Sequence, residues 1–275
     1  MQHEARLDTV ARVLRLGSSD PRGAVGRVRG EFEKRRDRRA WERLGVAPEA
    51  LYLVEEDWRP KLHELLGKPW PCEADAEFDA AWSETVDALR RDARFDQQST
   101  WLEESFDAVP SFARATWCLT RHVRPLRVVE TGVARGITSR FLLEGLARNG
   151  DGLLWSIDLP HPDTALNDQI GVAVPALLRD RWTLLLGSSR ARLPGLLSAL
   201  GSIDLFVHDS LHTTRNVEFE LMNAWNTLQS GGAVLVDDID WNLGFRVFLE
   251  RTGAESWLAA PRTSGRGLWG VAVKQ

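Results

Sequence analysis

The chain has 275 residues, of which 43% are hydrophobic and 27% are charged, and its net charge is −4. This composition is typical of a globular protein and disfavours disorder, a disulfide framework and a basic surface for nucleic acid. The sequence has neither a signal-peptide core nor an apolar stretch of about 18 residues. Its two cysteines are predicted to be free thiols. We therefore expect a cytoplasmic protein with no nucleic-acid or membrane partner.

Residues 1–122 are predicted to form a helical N-terminal region, because apolar residues recur at three and four positions and strand-like alternation is almost absent. The run EFEKRRDRRAWERLG predicts a charged helix that stops at Gly45, and Pro60, Pro69 and Pro71 are expected to interrupt helices. Four apolar residues on one helical stripe predict another helix: Phe78, Trp82, Val86 and Leu89. The region carries half of the twelve tryptophans. We interpret it as a substrate lid or an oligomerisation surface, with core packing as the alternative for the tryptophans.

From Arg127 onward, short β-rich apolar runs alternate with helical segments, which is typical of βαβ units and a parallel sheet. Strands are predicted at 127–131, 153–158, 182–187, 203–208 and 233–238, with a hairpin at 256–260 and 268–274. Helices are predicted at about 136–148, 165–179, 190–199, 214–229 and 242–251. The predicted fold class is α/β, a Rossmann-like, seven-stranded, mostly parallel sheet with a terminal antiparallel hairpin. The sheet domain would span 123–275.

Ligands of an open α/β sheet bind outside the carboxyl ends of its strands, so the residues that follow each strand are candidate site residues. After the first strand, Gly132 and Gly136 would permit a tight turn and a close approach of the backbone to a ligand. Glycines in such turns also occur for conformational reasons alone. Asp158 ends the second strand, where an acid accepts hydrogen bonds from ribose hydroxyls or, alternatively, caps a turn before Pro160.

Three carboxylates follow the fourth and fifth predicted strands: Asp209, Asp237 and Asp238. Because neighbouring strands end at the same rim of the sheet, these side chains are expected to converge. Converging carboxylates repel one another and shift their pKa values unless a cation neutralises them. Oxygen ligands suit Mg²⁺, Ca²⁺ or Mn²⁺ better than zinc. The sequence therefore predicts a divalent cation at this rim.

Five motifs, in this order and spacing, carry a resemblance to a known family: ETGVARGITS, SIDLP, LLLGSSRARLP, IDLFVHDSLHT and GGAVLVDDID. Over residues 115–275 the chain resembles the class I S-adenosylmethionine-dependent methyltransferases. Within that class it is most similar to the small-molecule O-methyltransferases, which include catechol O-methyltransferase and bacterial natural-product enzymes.

The resemblance implies a set of residues that bind S-adenosylmethionine: Glu130, Gly132, Gly136, Thr138, Asp158, Ser189 and Asp209. The turn after the first strand would hold the methionine side of the cofactor, and Thr138 would reach its carboxylate. Asp158 would bind the ribose hydroxyls, and Ser189 would line the adenine pocket.

The resemblance also implies that Asp209, Asp237 and Asp238 ligate a divalent cation, with Mg²⁺ the best match. His212 falls where the catechol enzyme has its general-base lysine, and imidazole is suited to taking a hydroxyl proton near neutral pH. Asp209 is the second candidate for that proton. The chain departs from the family at His212, at Ala134 in place of a middle glycine, and at Asp238 in place of an asparagine. If the aspartates are structural, His212 would work without a metal.

We predict an enzyme that transfers the methyl group in line to a hydroxyl of a small molecule, of natural-product or sugar type, with help from the metal. One alternative is a non-catalytic S-adenosylmethionine-binding partner of another enzyme. Another is a nicotinamide-dependent oxidoreductase, which is less favoured because the third glycine of its motif is missing. A homodimer is the general expectation for an enzyme of this size.

Overall fold

The computed structural model describes residues 21–45, 48–91, 110–160, 164–263 and 266–275. Within these residues, four α-helices precede the sheet: α1 (Pro21–Leu44), α2 (Trp58–Leu65), α3 (Glu73–Arg91) and α4 (Pro110–Val123). The longest of them carry many charged residues. None of the helices in the described ranges is both long enough and apolar enough to cross a bilayer.

The ends of these helices follow the glycines and prolines of the sequence, with one exception. Gly45 has a φ of +65°, and its N–H donates to the carbonyl of Trp41, so it ends α1 as predicted. Pro69 and Pro71 lie between α2 and α3, also as predicted. Pro60 lies inside α2, and its predicted interruption of a helix is wrong. It occupies the first turn, where a missing N–H removes no helical hydrogen bond.

Seven strands of the described residues form one sheet: β1 (Arg127–Thr131), β2 (Leu153–Asp158), β3 (Trp182–Leu186), β4 (Ile203–His208), β5 (Leu228–Val236), β6 (Trp257–Thr263) and β7 (Arg266–Val273). Their order is β3-β2-β1-β4-β5-β7-β6. The first five are parallel, and β7 runs antiparallel between β5 and β6. The connecting helices are α5 (Ile137–Asn149), α6 (Ser189–Leu200), α7 (Thr214–Thr227) and α8 (Gly244–Thr252). The predicted fold class is confirmed.

The predicted helix at 165–179 is wrong. Two short 3-10 helices occupy this stretch, Thr164–Gln169 and Ala176–Arg181. Between them Gly171 takes a φ of +69°, and a Cβ added there would lie 2.1 Å from the ring of Trp182. Pro175 lacks an N–H donor. A continuous α-helix is therefore interrupted both by the left-handed glycine and by the proline.

The boundaries around β5 and the terminal hairpin also differ from the prediction. Helix α7 ends at Thr227, and β5 begins directly at Leu228 rather than at 233. The register between β4 and β5 shifts after the pairing of Ile203 with Leu228, and Gly231 takes a φ of +80°. A local irregularity of this kind lets the strand start early without changing the later pairing. The hairpin strands are longer than predicted, so Arg262 belongs to β6 and not to a loop.

One hydrophobic core cluster spans the predicted domain boundary at residue 122. The ring centroids of Phe78 in α3 and Trp117 in α4 lie 5.3 and 6.4 Å from that of Phe141 in α5. Trp82 stacks on Phe141 at 5.6 Å. The same cluster includes Val128 of β1. The boundary thus separates two sequence patterns, whereas the core continues across it.

Candidate active site

A cavity of about 670 Å³ lies at the carboxyl ends of β1 and β4, where the strand order reverses. Open α/β sheets bind ligands at this position. The segments that follow β1 to β5 line the cavity, together with α1. Eight of the ten predicted site residues line it: Gly132, Thr138, Asp158, Ser189, Asp209, His212, Asp237 and Asp238. Glu130 and Gly136, both described, do not.

The turn after β1 contains three residues with left-handed backbone, Gly132, Ala134 and Gly136. Gly132 has a φ of +86°, and a Cβ there would lie 1.9 Å from the carbonyl oxygen of Asp209. Only glycine fits this position. Ala134 has a φ of +47°, and its N–H donates to Oδ2 of Asp158 at 2.8 Å, next to a 3.2 Å bond from the N–H of Val133. A left-handed backbone is unfavourable for an alanine, which stands here in place of the family's middle glycine. The hydrogen bonds to Asp158 therefore stabilise this turn.

Asp158 is predicted to bind ribose, and the structure gives it a second role. Its Oδ1 accepts the N–H of Leu159 at 2.7 Å, so three backbone amides donate to this carboxylate. Burial raises its pKa, and these hydrogen bonds act in the opposite direction. A carboxylate offers about four acceptor sites, so capacity for a further donor remains. Both alternatives considered from the sequence, the turn and the ligand contact, fit this geometry.

Glu130 and Gly136, two of the predicted cofactor residues, lie outside the cavity. Glu130 is fully buried beneath the turn, and its Oε2 accepts the hydroxyls of Ser139 at 2.7 Å and Ser156 at 2.6 Å. Burial raises its pKa to about 7, although both hydroxyls act to lower it. Gly136 directly precedes α5 as its N-cap and packs on Gly171. Both residues support the turn from outside the cavity lining, and their contact with a cofactor stays a prediction.

The carboxylates that follow β5 have a cationic partner, Arg262 of β6. Its guanidinium nitrogens lie 2.6 Å from Oδ1 of Asp238 and 3.3 Å from Oδ2 of Asp237. The pKa of Asp237 is raised because the side chain is buried and because Asp238 is adjacent, and Arg262 opposes this shift. Asp237 Oδ1 has no hydrogen-bond partner among the described residues. Asp238 takes a left-handed φ of +50°, and such strained backbone is typical of functional sites.

These residues do not fit a divalent cation. Asp209, Asp237 and Asp238 are not among the described groups whose ligand atoms all lie within 4.8 Å of one another. A metal bound by them would displace Arg262, which already neutralises two of the carboxylates at short range. No sequence signal predicts Arg262, because its role depends on which strand end the hairpin faces.

His212 lies on the cavity wall between two of the carboxylates. Its Nε2 is 3.7 Å from Oδ1 of Asp209 and 3.5 Å from Oδ2 of Asp238. Burial lowers its pKa to about 4, with Asp238 acting in the opposite direction and Arg262 adding to the decrease. The imidazole is therefore neutral at pH 7 and keeps one nitrogen lone pair, but the lowered pKa makes it a weaker base than a free imidazole. The ring of Trp241, 62% exposed, lies beside it at the cavity mouth.

A second buried carboxylate, Glu220 of α7, was not predicted. Its Oε2 contacts Nδ1 of His208 at 2.6 Å and the hydroxyl of Thr131 at 2.5 Å, and its Oε1 accepts from Ser210 and Asn216, each at 2.8 Å. Burial would raise its pKa, but His208 and the donors lower it to about 2. The sequence signal is that Glu220 falls on the buried stripe of α7. It ties the ends of β1 and β4 together behind the cavity.

Helix α1 closes one side of the cavity. Oε2 of Glu33 accepts the hydroxyl of Thr213 at 2.8 Å, and Oδ2 of Asp37 accepts the N–H of Thr214 at 2.7 Å. A Cβ at Gly30 would come within 3.2 Å of Leu211, so the helix backbone lies close to the β4 loop. The N-terminal region therefore contributes to the wall of the cavity, which is compatible with the lid predicted for it.

Residues 129–239 match the family model of a methyltransferase domain. No curated protein sequence matches the chain. Similar solved structures include the O-methyltransferase TomG of Streptomyces achromogenes, involved in tomaymycin synthesis and in complex with SAM. It is 17% identical, with a TM-score of 0.48, and the match covers 74% of this chain and 100% of that one. An O-methyltransferase of Bacillus cereus in complex with SAH is also 17% identical, with a TM-score of 0.48, and covers 79% and 99% of the two chains.

Proposed function

We propose that this chain, whose residues 129–239 form a methyltransferase domain as its motifs predicted, transfers a methyl group from S-adenosylmethionine to a hydroxyl of a small molecule. The observation that carries the proposal is that one cavity brings together five of the seven predicted cofactor residues and His212. The acceptor we propose is of natural-product or sugar type, because the exposed ring of Trp241 offers a stacking surface at the mouth.

The cavity suits a cofactor that carries a positive charge. Asp209, Asp237 and Asp238 share its wall with Arg262, so the wall keeps an excess of negative charge even when Asp237 is protonated. In the turn after β1, Gly132 lines the cavity with its backbone alone. S-adenosylmethionine, when bound, supplies an electrophilic methyl group on a sulfonium. A negative wall attracts the sulfonium more strongly than the neutral thioether that remains after transfer. It therefore favours binding of S-adenosylmethionine over binding of the product.

The chain's own residues then have two tasks. The acceptor oxygen forms a bond to the methyl carbon as the carbon–sulfur bond breaks, and its proton must leave. We propose that His212 takes this proton, with Asp209 as the second candidate. Arg262 keeps the adjacent carboxylates neutralised and in place, which is the task that the sequence assigned to a metal. We propose that the reaction proceeds without a divalent cation.

The test has a binding arm and a transfer arm. Calorimetry with S-adenosylmethionine and with NAD should show binding of the first alone. The protein is then incubated with S-adenosylmethionine and a panel of phenols, sugars and hydroxylated polyketides, and S-adenosylhomocysteine is measured. His212→Gln should keep the cofactor affinity and lose about 100-fold or more in rate. Tight cofactor binding with no transfer to any acceptor would favour the non-catalytic partner, and NAD binding would favour the oxidoreductase.

The remaining sequence-based expectations stay predictions: a cytoplasmic location, a homodimer, and no nucleic-acid partner.

A further inference from the structure

Three potential metal-binding side chains meet outside the cavity, where the proposed reaction does not use them. They are His63 of α2, Cys72 just before α3, and His122 near the end of α4. His63 Nε2 lies 3.0 Å from Cys72 Sγ and 3.1 Å from His122 Nε2, and His122 Nε2 lies 3.3 Å from Cys72 Sγ. The three atoms thus form a nearly equilateral triangle.

Hydrogen bonds alone do not account for this triangle. His63 Nδ1 lies 2.7 Å from the carbonyl oxygen of Arg59, and a carbonyl only accepts, so Nδ1 carries the hydrogen. In the neutral ring, Nε2 of His63 then presents only a lone pair to its two neighbours. The Cys72 thiol and the His122 ring can supply one hydrogen each, whereas three contacts require three. In at least one of the three contacts, two lone pairs therefore face each other with no hydrogen of their own, unless a cation lies between the atoms.

The distances and the orientation suit a metal ion. With Zn–N of about 2.0 Å and Zn–S of about 2.3 Å, neighbouring ligand atoms of a tetrahedral zinc lie about 3.3–3.6 Å apart. The observed separations reach this range by outward shifts of a few tenths of an ångström. The bond from His63 Nδ1 to a backbone carbonyl is the arrangement that orients metal-bound histidines.

The sulfur of Cys72 is also held by the helix that follows it. Cys72 directly precedes α3, and its Sγ accepts the N–H of Asp75 from the first turn of that helix at 3.2 Å. Two imidazoles and one thiolate are a ligand set that prefers zinc over magnesium or calcium.

We propose that His63, Cys72 and His122 bind one zinc ion through Nε2, Sγ and Nε2, with water in the fourth position. Water can reach it because Cys72 and His122 are only half-buried. The ion links α2, the loop before α3 and α4, which together form the helical layer against the sheet. Trp70 packs on the His63 ring at 4.8 Å and covers one side of the site. The proposed role is structural and is independent of methyl transfer.

Metal content and cobalt substitution of the full chain test the site. Protein produced with zinc in the medium should contain about one zinc per chain by plasma mass spectrometry. Cobalt(II), added to zinc-free protein, should give a thiolate-to-cobalt charge-transfer band and the intense visible bands of tetrahedral coordination. Cys72→Ala should lose the charge-transfer band and about 100-fold or more in zinc affinity. Cys118→Ala is the matched control, since this second cysteine is not one of the three ligands, and should keep both.

Two results would overturn the proposal. One is folded wild-type protein that holds no zinc and gives no thiolate–cobalt band, a readout that does not depend on any variant folding. The other is zinc bound equally by wild type and Cys72→Ala, which would place the ion elsewhere. Zinc removal should also lower the melting temperature of the wild type and leave that of folded Cys72→Ala unchanged.

Discussion

Glu130 and Glu220 are both fully buried behind the cavity, yet their pKa values shift in opposite directions. Glu130 accepts hydrogen bonds from two hydroxyls and has no basic hydrogen-bond partner among the described residues. Burial therefore dominates, and its pKa rises to about 7. Glu220 is bonded to His208 as well as to several donors, and its pKa falls to about 2. The chemistry of a buried carboxylate therefore depends on its partners and not on burial alone.

This difference predicts a pH-dependent effect of Glu130→Gln on stability. A carboxyl whose pKa rises from 4.5 to about 7 on folding stabilises the protein below pH 4.5, and this contribution is lost as the pH rises through 7. The amide mimics the protonated acid at every pH. The variant should therefore match the wild type at pH 4.5 and exceed it at pH 8, by at most about 3 kcal/mol in free energy of unfolding.

Urea denaturation at both pH values measures the effect. Glu84→Gln, an exposed glutamate on α3, is the control and should show no such pH dependence. If the difference between Glu130→Gln and wild type is the same at pH 4.5 and pH 8, folding does not raise the pKa of Glu130.

At the scale of elements, the sequence predicted what depends on local pattern and missed what depends on long-range packing. The turn around Gly132 follows from glycine spacing after an apolar run, and the structure places it at the cavity. The helix at 165–179 fails because Pro175 and Gly171 outweigh the apolar periodicity. Arg262 reaches the cavity only because β7 inserts between β5 and β6, a topology that no local signal near residue 262 encodes. The sequence thus shows which charged residues follow the parallel strands, but not which charged residue of the hairpin pairs with them.

Because Arg262 of the terminal hairpin neutralises the carboxylates after β5, we expect methyl transfer to be independent of magnesium. Wild-type protein dialysed against metal-free buffer should transfer methyl groups at the same rate with and without added Mg²⁺. Arg262→Met leaves Asp237 and Asp238 without their cation, which should cost about 3 kcal/mol in free energy of unfolding and lower the transfer rate. Arg246→Met, an arginine on α8 paired with Glu250, is the control and should keep the wild-type rate. Activation of the wild type by Mg²⁺ of about 10-fold or more, a gain worth some 1.4 kcal/mol, would restore the metal as the cation of this site.

At the scale of the whole molecule, the shared core makes the helical layer part of the folded unit. Phe78 belongs to the segment before residue 122 and Phe141 to the sheet domain, yet their rings lie 5.3 Å apart in one cluster. Both side chains are essentially buried. Removing either ring would leave a cavity at a contact between the two predicted segments, so the segments are expected to unfold together.

Phe78→Ala and Phe141→Ala should each reduce the free energy of unfolding by about 3–5 kcal/mol. In calorimetry each variant should still show a single transition, at a lower temperature than the wild type. The double variant should lose about 0.5–1.5 kcal/mol less than the sum of the single losses, because the two rings interact directly. Phe32→Ala, an exposed ring on α1, is the control and should change stability little. Two separate transitions, with Phe78→Ala affecting one and Phe141→Ala the other, would show instead that the boundary at residue 122 divides two independent domains. In that case the helices could cover the sheet without stabilising it, and the zinc ion would hold together only its own layer.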